Sequence, residues 1–345
     1  MDRGVTMRET PTSAQVARLA GVSQSAVSRV FTPGASVSKP MRERVEAAAS
    51  ALGYRPNALA RSLITGRSRI IGVIAGYFDN QWYPHAMETL SNALQARGYH
   101  ALMFMASQHA QDVDRIVGEI LDYQVDGILA ASVSLSSDLA QRCAEAGVPV
   151  VLFNRAQAGE GFSTVTSDNF AGGREIARFL AAGGHRRIAY IAGWEGASTQ
   201  VEREAGFRRG LAEAGLALAA RETGDYESAT AAAAARRLFS RRERPDAVFV
   251  ANDHMALAVM DVLRFELGLD APRDVSVVGY DDAPPAAWPT YALTTLRQPV
   301  RRMVAAAVEA LTARIEHDDR EPRRLAISGP LVVRRSARVP EGGWR

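Results

Sequence analysis

The sequence predicts a small all-α unit followed by a larger α/β body built on parallel β-sheets. Before residue 56, short helical patterns are separated by helix caps and glycine turns. From residue 70 onward, near-continuous apolar runs alternate with helical patterns, which is typical of parallel strands covered on both faces. The chain has 345 residues, 47% of them hydrophobic, so it is long enough for about two domains with substantial cores.

The first two helical patterns are joined by a tight turn. The first helix begins at Thr12 with Gln15 three residues later, which is the pattern of a capping box. Gly21 supplies the positive φ that a short interhelical turn needs, and Ser23 is a good N-cap for the second helix. Two short helices joined by a glycine-containing turn are typical of the helix-turn-helix motif.

The second helix, over residues 24–32, carries the side chains expected to read DNA. Its outward polar residues are Gln24, Ser25 and Arg29. Glutamine can pair with adenine and arginine with guanine when such a helix enters the major groove. Hydroxyls and helix N-termini bind phosphates, and the hydroxyl residues expected there are Thr12, Ser23 and Ser28. A helical bundle without a ligand is the alternative.

A third helix is predicted over residues 39–52, where Ser38 is the N-cap and Gly53 ends the helix.

Basic residues are concentrated in the N-terminal part of the chain. Residues 1–69 hold eleven Lys and Arg against four Asp and Glu, whereas the remainder holds 30 basic and 34 acidic residues. A basic head on a mildly acidic body indicates a polyanionic partner such as DNA at the head.

A short apolar segment follows the third helix. Asn57 is a good N-cap, and Leu59 and Leu63 lie four residues apart, so they share one face of a short helix. A helix this short is unstable alone in water, so its apolar face needs a partner. The partner expected is the same segment of a second subunit, together with DNA whose minor groove an apolar side chain enters. The alternative is a linker that happens to be apolar.

The body alternates predicted strands and helices. The strands are expected at residues 70–75, 101–105, 127–131, 148–153, 188–192, 247–251 and 275–280. The helices are expected at residues 84–97, 112–122, 138–146, 169–182, 201–214, 227–239 and 254–267. Ligands of such folds bind beyond the carboxyl ends of the strands, so the residues after each strand are the candidates for a binding site.

Aromatic, amide, carboxylate and arginine side chains follow several of these strands. The candidate binding residues are Asn80, Trp82, Tyr83, Asp168, Arg203, Tyr226, Asn252 and Asp281. Aromatic faces stack on a ring while amides and carboxylates bind its hydroxyls, so the set suits a sugar or a related polar ring. Tyr83 also fits a core position, and Asp168 fits a helix cap. A catalytic pair of Asp281 and Asp282 is less favoured, because no partner acid or base is evident nearby.

The head and the segment after it resemble the headpiece and hinge of the lac/galactose repressor (LacI/GalR) family. The resemblance rests on the stretch GVSQSAVSRVFTPGASVSKPMRERVEAAASALGYRPNALARSL and extends through residues 12–338. It implies that Gln24, Ser25 and Arg29 read bases. It also implies that Leu63 enters the central step of a pseudo-palindromic operator. The body would then be periplasmic-binding-protein-like, with two doubly wound parallel-sheet subdomains and a small effector between them.

Motifs in the body carry the same resemblance. The family's R-x-x-G-F begins at Arg203, its N-D-x-M-A begins at Asn252, and its G-Y-D-[DN] contains Asp281. In the family these residues bind the effector, and Tyr226 falls where the family has a stacking aromatic. Tyr83 falls in the family's aromatic pair after N-P. A glutamine replaces that proline here, so this loop departs from the pattern.

These landmarks predict the domain boundaries. The expected parts are a headpiece at 1–56, a hinge at 57–69, an effector-binding and dimerisation domain at 70–340 and a tail at 341–345. The two subdomains of the body are expected at 70–180 with 299–328, and at 184–296 with 329–340. The sequence leaves open whether Met1 or Met7 is the start.

The sequence therefore predicts a DNA-binding transcriptional regulator, most simply a repressor, that binds its operator as a homodimer and responds to a small polar effector. No apolar heptads follow Arg334, which favours a dimer over a larger assembly. Nucleotide, zinc-protease and serine-hydrolase motifs are missing, so neither enzyme activity nor a cofactor is expected. The lack of an apolar leader or membrane span, and the single Cys143, predict a cytoplasmic protein.

Three alternatives stay open at this stage. A sugar-binding protein of a transport system fits the body but not the basic head. An enzyme acting on a sugar or nucleoside would need a catalytic partner for its acids. An architectural DNA-binding protein would need no ligand. The sequence identifies neither the effector nor the operator, and it leaves open whether the effector releases or promotes DNA binding.

Overall fold

The structure is a computed structural model that describes residues 11–32, 34–55, 66–76, 78–106, 110–133, 137–157, 162–317, 319 and 321–344. The chain divides into two compact units, Met1–Ser68 and Arg69–Arg345. The predicted hinge residues Asn57, Leu59 and Leu63 lie outside the described residues. Within the described part of the chain, no helix has the length and apolar character that crossing a membrane requires.

The first unit contains three helices, α1 (Ser13–Ala20), α2 (Gln24–Val30) and α3 (Lys39–Leu52). The predicted capping box at the start of α1 is confirmed. The Gln15 amide donates to Thr12 Oγ1 at 3.3 Å, and the Thr12 amide donates to Gln15 Oε1 at 2.7 Å. Both halves of the box satisfy amides that the first turn of a helix leaves without a partner.

The turns between these helices also follow the sequence signals, with one exception. Gly21 and Gly53 have φ values of 65° and 67°, as expected of glycines that end helices. Ser23 Oγ accepts from the Ala26 amide at 3.2 Å, so it caps α2. Ser38 occupies the N-cap position of α3 but makes no side-chain cap hydrogen bond.

The core of the first unit is made of small and β-branched side chains. Its buried members are Val16, Ala17, Ala20, Val27, Val30, Val45, Ala48 and Ala49. Alanine at crossing points lets short helices approach closely, while valine fills the remaining space. The polar faces of α1 and α2 are consequently left on the outside.

The second unit contains twelve strands and eight helices among its described residues. The strands are β1 (Ile70–Ala75), β2 (His100–Met105), β3 (Gly127–Ala131), β4 (Val150–Phe153), β5 (Ser163–Ser167), β6 (Ile188–Ala192), β7 (Ala220–Thr223), β8 (Ala247–Val250), β9 (Ser276–Asp281), β10 (Thr294–Arg297), β11 (Arg324–Ile327) and β12 (Leu331–Val332). The helices are α4 (Trp82–Ala96), α5 (Ala110–Asp122), α6 (Ser137–Glu145), α7 (Asn169–Ala182), α8 (Ser198–Glu213), α9 (Ser228–Phe239), α10 (Asp253–Asp261) and α11 (Val300–His317).

These strands form two sheets, as predicted, and each sheet has six strands. The first has the order β11-β5-β4-β3-β1-β2 and the second has the order β12-β10-β9-β8-β6-β7. All described pairings are parallel except that of β10 with β12, which is antiparallel. The carboxyl ends of the parallel strands therefore meet at one edge of each sheet, which is where ligands of such folds bind.

Both faces of the first sheet are covered. In β3, Leu129 and Ala131 belong to one apolar cluster, whereas Ile128 and Ala130 belong to another. This follows from the alternation of side chains along a strand and explains why buried parallel strands read as continuous apolar runs. The second sheet has its own core, in which Tyr190, Phe207 and Phe249 pack ring against ring.

The chain passes between the two sheets three times. The connections run from β5 to α7, from β10 to α11 and from β11 to β12. The buried residues of α7, among them Ile176 and Phe179, belong to the core of the second sheet. By packing, the first connection therefore lies near Asp168, whereas the sequence placed the end of the first subdomain at residue 180.

Several elements differ from the sequence predictions. The edge strands β7 and β11 have the sequences ARET and RLAI and lack a buried apolar run, so they gave no strand signal. Helix α4 begins at Trp82, two residues before the predicted start at residue 84. The helix predicted at 254–267 ends at Asp261 and continues as a π-helix over Val262–Glu266.

Candidate functional site

The first candidate site is the outer face of α2. Gln24, Ser25, Ser28 and Arg29 are exposed, whereas Ala26, Val27 and Val30 on the opposite face are buried. The exposed residues lie on the first turns of a short helix, where side chains can reach base edges in a major groove. Thr12 and Ser23 are also exposed, as phosphate-binding hydroxyls would have to be.

Contacts at both ends hold α2 in place. At its start, Gln24 Nε2 donates to Ser13 Oγ of α1 at 2.7 Å. At its end, Arg42 of α3 donates through Nη1 to the carbonyl of Val30 at 3.1 Å. The polar face of α2 is thus presented on a supported helix, and Gln24 and Arg29 have the donor chemistry that reads adenine and guanine.

The second candidate site is a polar cavity at the carboxyl ends of the strands of both sheets. It encloses about 440 Å³ not occupied by protein atoms, including its open mouth. The cavity is lined by Asn80, Tyr83, Ser132, Asn154, Arg155, Thr199, Arg203, Tyr226, Asn252 and Asp281.

Asp281, the last residue of β9, accepts hydrogen bonds from residues that follow strands of both sheets. Asn80 Nδ2, on the loop after β1, donates to Asp281 Oδ2 at 2.9 Å, and Gln298 Nε2 donates to Oδ1 at 2.7 Å. Burial raises the pKa of the Asp281 carboxyl, and the Arg203 guanidinium with these two hydrogen bonds offsets only part of that effect. The carboxylate is a strong acceptor for ligand hydroxyls.

Arg203, on α8, is fixed by several partners. Its Nε donates to Asn169 Oδ1 at 2.9 Å and its Nη1 donates to the Ala251 carbonyl at 2.6 Å. Its Nη2 lies 3.7 Å from Asp281 Oδ1, and its guanidinium lies 3.7 Å above the centre of the Tyr280 ring. The arginine is thereby held rigidly at the cavity wall by hydrogen bonds, an ion pair and a cation–π contact.

The wall that belongs to the first sheet is a cluster of hydroxyls and an amide. Tyr83 Oη and Ser132 Oγ lie 2.5 Å apart, and Asn154 Nδ2 donates to both of these oxygens at 3.2 and 3.3 Å. Burial raises the pKa of Tyr83, so its hydroxyl stays protonated at neutral pH. The cluster offers both donors and acceptors to a polar ligand.

The wall that belongs to the second sheet contains Thr199, Tyr226 and Asn252. Thr199 Oγ1 and Tyr226 Oη lie 3.2 Å apart. Asn252 Oδ1 accepts from the Met255 amide at 3.0 Å and thereby caps α10. The aromatic ring, hydroxyls and amide on this side match the stacking and hydrogen-bonding groups expected for a polar ring.

Four of the lining residues adopt backbone conformations that favour glycine. The φ values are 57° at Ser132, 60° at Asn154, 61° at Tyr226 and 125° at Asp281. Such conformations are costly for residues with side chains and cluster at functional sites, where the surrounding structure holds them. Here they direct the polar side chains that follow β3, β4 and β7, and that end β9, into one cavity.

The structure brings together six of the side chains proposed as binding residues, namely Asn80, Tyr83, Arg203, Tyr226, Asn252 and Asp281. Trp82 is not among the lining residues. It is 1% exposed and packs against Tyr83 and Phe153, with ring centres 5.0 and 6.1 Å apart. The helical turn at the start of α4 sends adjacent residues in different directions, which places Trp82 in the core.

Asp168 also lies outside the cavity lining. Its Oδ1 accepts from the Ala171 amide at 3.0 Å, so it caps α7, and its Oδ2 accepts from Ser328 Oγ at 3.1 Å. The second bond joins two of the three connections between the sheets. Asp168 thus occupies a helix-capping and connecting position, the alternative that its sequence context already offered.

Four lining residues were not singled out from the sequence: Ser132, Asn154, Arg155 and Thr199. Ser132 and Asn154 directly follow β3 and β4, so the rule that located Asn80 and Asn252 would have found them. Thr199 lies one helical turn before Arg203 on α8, which places both on one face. Among the described residues, no group of three or more His, Cys, Asp or Glu is placed to hold a metal ion.

Comparison with known families and proteins gives concordant results. Residues 14–57 match the family described as bacterial regulatory proteins, lacI family, and residues 177–337 match the periplasmic binding protein-like domain. The chain is 36% identical over 340 residues to the HTH-type transcriptional regulator CelR of Thermobifida fusca, covering 95% of this chain and 99% of that protein.

Two solved structures resemble nearly the whole chain. One is a CelR–cellobiose complex, at 35% sequence identity and a TM-score of 0.72, covering 94% of this chain and 99% of that one. The other is the lac repressor dimer bound to operator and the anti-inducer ONPF, at 26% identity and a TM-score of 0.85, covering 95% and 99%. The likeness therefore extends over both units of this chain.

Proposed function

Because the chain belongs to the lacI family of bacterial regulatory proteins, we propose that it is a repressor that binds a pseudo-palindromic operator as a homodimer. Its affinity for the operator is set by a small polar effector, a sugar or sugar derivative, bound in the cavity between the two sheets. Because bacterial DNA lies in the cytoplasm, a repressor of this kind would act there.

The observation that carries the DNA-binding part is the exposed polar face of α2. Gln24, Ser25 and Arg29 project from a helix whose other face is packed into a valine and alanine core. Glutamine can pair with adenine and arginine with guanine when such a face enters the major groove. Similarity to the lac repressor dimer, whose structure contains operator DNA, supports the same role.

The effector part is supported by the lining of the cavity. Asp281, Asn80 and Arg203 supply acceptors and donors for hydroxyl groups, while Tyr83 and Tyr226 supply aromatic rings. This is the chemistry that recognises a polyhydroxylated ring. The relative CelR, whose structure contains cellobiose, supports a carbohydrate ligand for a cavity at this place in the fold.

Regulation follows from the position of the cavity. Asn80 follows β1 of the first sheet and Asp281 ends β9 of the second, so their hydrogen bond at 2.9 Å joins the two sides of the cavity. A ligand that replaces or reinforces such a contact changes the relative stability of two arrangements of the sheets. Coupling of this kind typically amounts to about 1–3 kcal/mol, or about 5–150-fold in operator affinity.

The test is selection of duplexes from a random DNA pool by the full-length protein, followed by binding assays with and without a panel of sugars, sugar acids, polyols and purines. Enrichment of a two-fold-symmetric sequence, and a change in its affinity with one ligand class, are expected. The variant Gln24→Ala/Arg29→Ala should enrich no such sequence. Arg209→Ala, which removes an exposed arginine on α8, is the matched control.

The other interpretations of the sequence correspond to other outcomes of this experiment. DNA binding that no ligand alters would indicate an architectural protein. Ligand binding without selected DNA would indicate a sugar-binding protein, and turnover of a panel ligand would indicate an enzyme. Light scattering gives the assembly state, for which a dimer is expected.

A further inference from the structure

Arg155 lines the cavity, and two of its three guanidinium nitrogens have no hydrogen-bond partner among the described residues. It follows β4 directly after Asn154 and is 6% exposed. Its Nε and Nη1 are buried and have no hydrogen-bond partner among the residues that the structure describes. A buried guanidinium is rarely left in this condition, because each unpaired donor costs free energy.

The surroundings of Arg155 supply no compensating negative charge among the described residues. Its guanidinium lies 5.2 Å from the centre of the Trp194 ring, and its electrostatic neighbours are the hydroxyls of Tyr83 and Tyr226. Burial lowers the pKa of the Arg155 guanidinium, which is the direction expected of a cation removed from water without a counterion.

The other arginine of the cavity differs in this respect. Arg203 has Asp281 within 3.7 Å and donates to Asn169 and to a backbone carbonyl. Asp281 therefore balances Arg203, and the lining residues carry one further positive charge, at Arg155. The two arginines lie on opposite sides of the cavity. Arg155 follows β4 of the first sheet, whereas Arg203 lies on α8, which packs on the second sheet.

We propose that the effector carries an anionic group, a carboxylate or a phosphate, and that this group pairs with Arg155 while the hydroxyls of the ligand bind Asp281 and Asn80. This inference rests on the proposed function, since it names the class of ligand that the same cavity takes. The effector is then a sugar acid or a sugar phosphate rather than a neutral sugar.

The anionic group is favoured over a hydroxyl by the electrostatics of the site. A neutral hydroxyl would accept a hydrogen bond from Arg155 but would leave its charge uncompensated in a buried place. A carboxylate or phosphate would form charge-assisted hydrogen bonds, which guanidinium groups make in pairs. The face of Trp194 shields one side of the guanidinium from water, which strengthens such a pair.

The experiment compares matched ligands by calorimetry and thermal unfolding of the full-length protein at constant ionic strength. The sets are D-glucose with D-glucuronate and D-glucose 6-phosphate, D-ribose with D-ribose 5-phosphate, and cellobiose with cellobionate. In at least one set the anionic member should bind about 10–100-fold more tightly than the neutral one. Comparison of the sugar acids with the sugar phosphates shows whether the site prefers a carboxylate or a phosphate.

Two variants test the residue itself. Arg155→Gln should abolish the preference for the anionic member, whereas Arg209→Ala, which removes an exposed arginine elsewhere, should retain it. Arg155→Met tests the uncompensated charge without any ligand: its Tm in the absence of ligand should equal or exceed that of the wild type. A clearly lower Tm would identify Arg155 as a structural residue and overturn the proposal.

The remaining outcomes are equally decisive. Neutral members that bind as tightly as anionic ones, or anionic members that all fail to bind, would overturn the inference. Neither result would affect the proposed function if operator DNA is selected and a neutral ligand alters its binding. Failure to select DNA would instead refute the proposed function, whatever the preference of the cavity.

Discussion

Arg203 holds together three parts of the second unit while lining the cavity. Its hydrogen bonds reach Asn169 at the start of α7 and the Ala251 carbonyl after β8, and its charge faces Asp281. The donors of Arg203 thus satisfy buried acceptors of the protein, and the same side chain faces the cavity in which the proposed effector would bind.

Substitution of Arg203 should separate these two roles. Arg203→Ala removes the cation beside Asp281 and the donors to Asn169 Oδ1 and the Ala251 carbonyl, so the free energy of unfolding should fall by about 3–5 kcal/mol. The effector should no longer alter operator binding, whereas operator binding should persist at temperatures where the variant is folded. Arg203→Lys keeps the charge and serves as the milder test if the alanine variant unfolds. Retention of the full effector response in both variants would contradict the assignment of the cavity.

Arg29 is the residue for which base reading is most directly testable. It is exposed on α2 and is paired with no acidic residue in the described part of the first unit. Arg29→Ala should weaken operator binding by about 1–3 kcal/mol and relax the preference at one base position. Fluorescence anisotropy with single-base operator variants measures both effects. Equal weakening on all sequences would show instead that Arg29 contacts a phosphate.

At the scale of elements, the crossing of α7 and α8 sets the position of Arg203 and Asn169. A Cβ added at Gly206 would lie 1.9 Å from the carbonyl oxygen of Phe170, and one at Gly173 would lie 2.1 Å from that of Arg203. The two helices therefore approach at backbone contact, which only glycine permits. Gly206 also forms part of the R-x-x-G-F motif, so this position of the motif specifies close helix packing.

Gly206→Ala should consequently destabilise the protein and disturb the cavity. Because the clash is with backbone, the helices must separate, at a cost of about 1–3 kcal/mol or more. Gly118→Ala, within helix α5, is the matched control. A Cβ at Gly118 would meet only the end of the Arg142 side chain, at 3.6 Å. That control should raise stability by about 0.5–1 kcal/mol. Urea unfolding compares the two, and equal effects would refute the close-packing argument.

The ends of elements also explain how far the sequence predicts the site. Buried strands such as β1, β3 and β6 were located to the residue, because parallel strands covered on both faces must be apolar throughout. Which of two adjacent aromatics enters the cavity was not predictable, because α4 begins two residues earlier than its pattern indicates. That shift turns Trp82 into the core and Tyr83 toward Ser132.

Other residues escaped because their conformation depends on tertiary structure. Their positions after β3 and β4 mark Ser132 and Asn154 as candidates, but the left-handed backbone that directs both side chains into the cavity has no local sequence signal. The placement of α7 with the second sheet is likewise decided by packing against α8 rather than by its own sequence. Asp168, at the connection, reads equally well as a ligand or as a cap.

At the scale of the whole molecule, buried titratable groups make stability depend on pH in opposing ways. Burial lowers the pKa of His185 and of His254 below the usual 6.5. Burial, with the charge of Asp281, raises the pKa of the Asp253 carboxyl well above its usual value. As the pH falls, the histidines are protonated first in the unfolded chain, so they favour unfolding. Carboxyls whose pKa is raised in the folded protein are protonated first in the folded chain, so they favour folding.

The histidine contribution can be isolated with His185→Gln. His185 is fully buried, with Nδ1 3.4 Å from Asp246 Oδ1. Its stabilising contribution is complete above the unfolded pKa of 6.5 and is lost as the pH falls toward the lower folded-state pKa. Urea unfolding between about pH 7.5 and 5.5 should therefore give a smaller acid-side loss in His185→Gln than in the wild type. The exposed His100→Gln is the control and should follow the wild type. Parallel pH profiles for all three proteins would exclude His185 as a source of acid sensitivity.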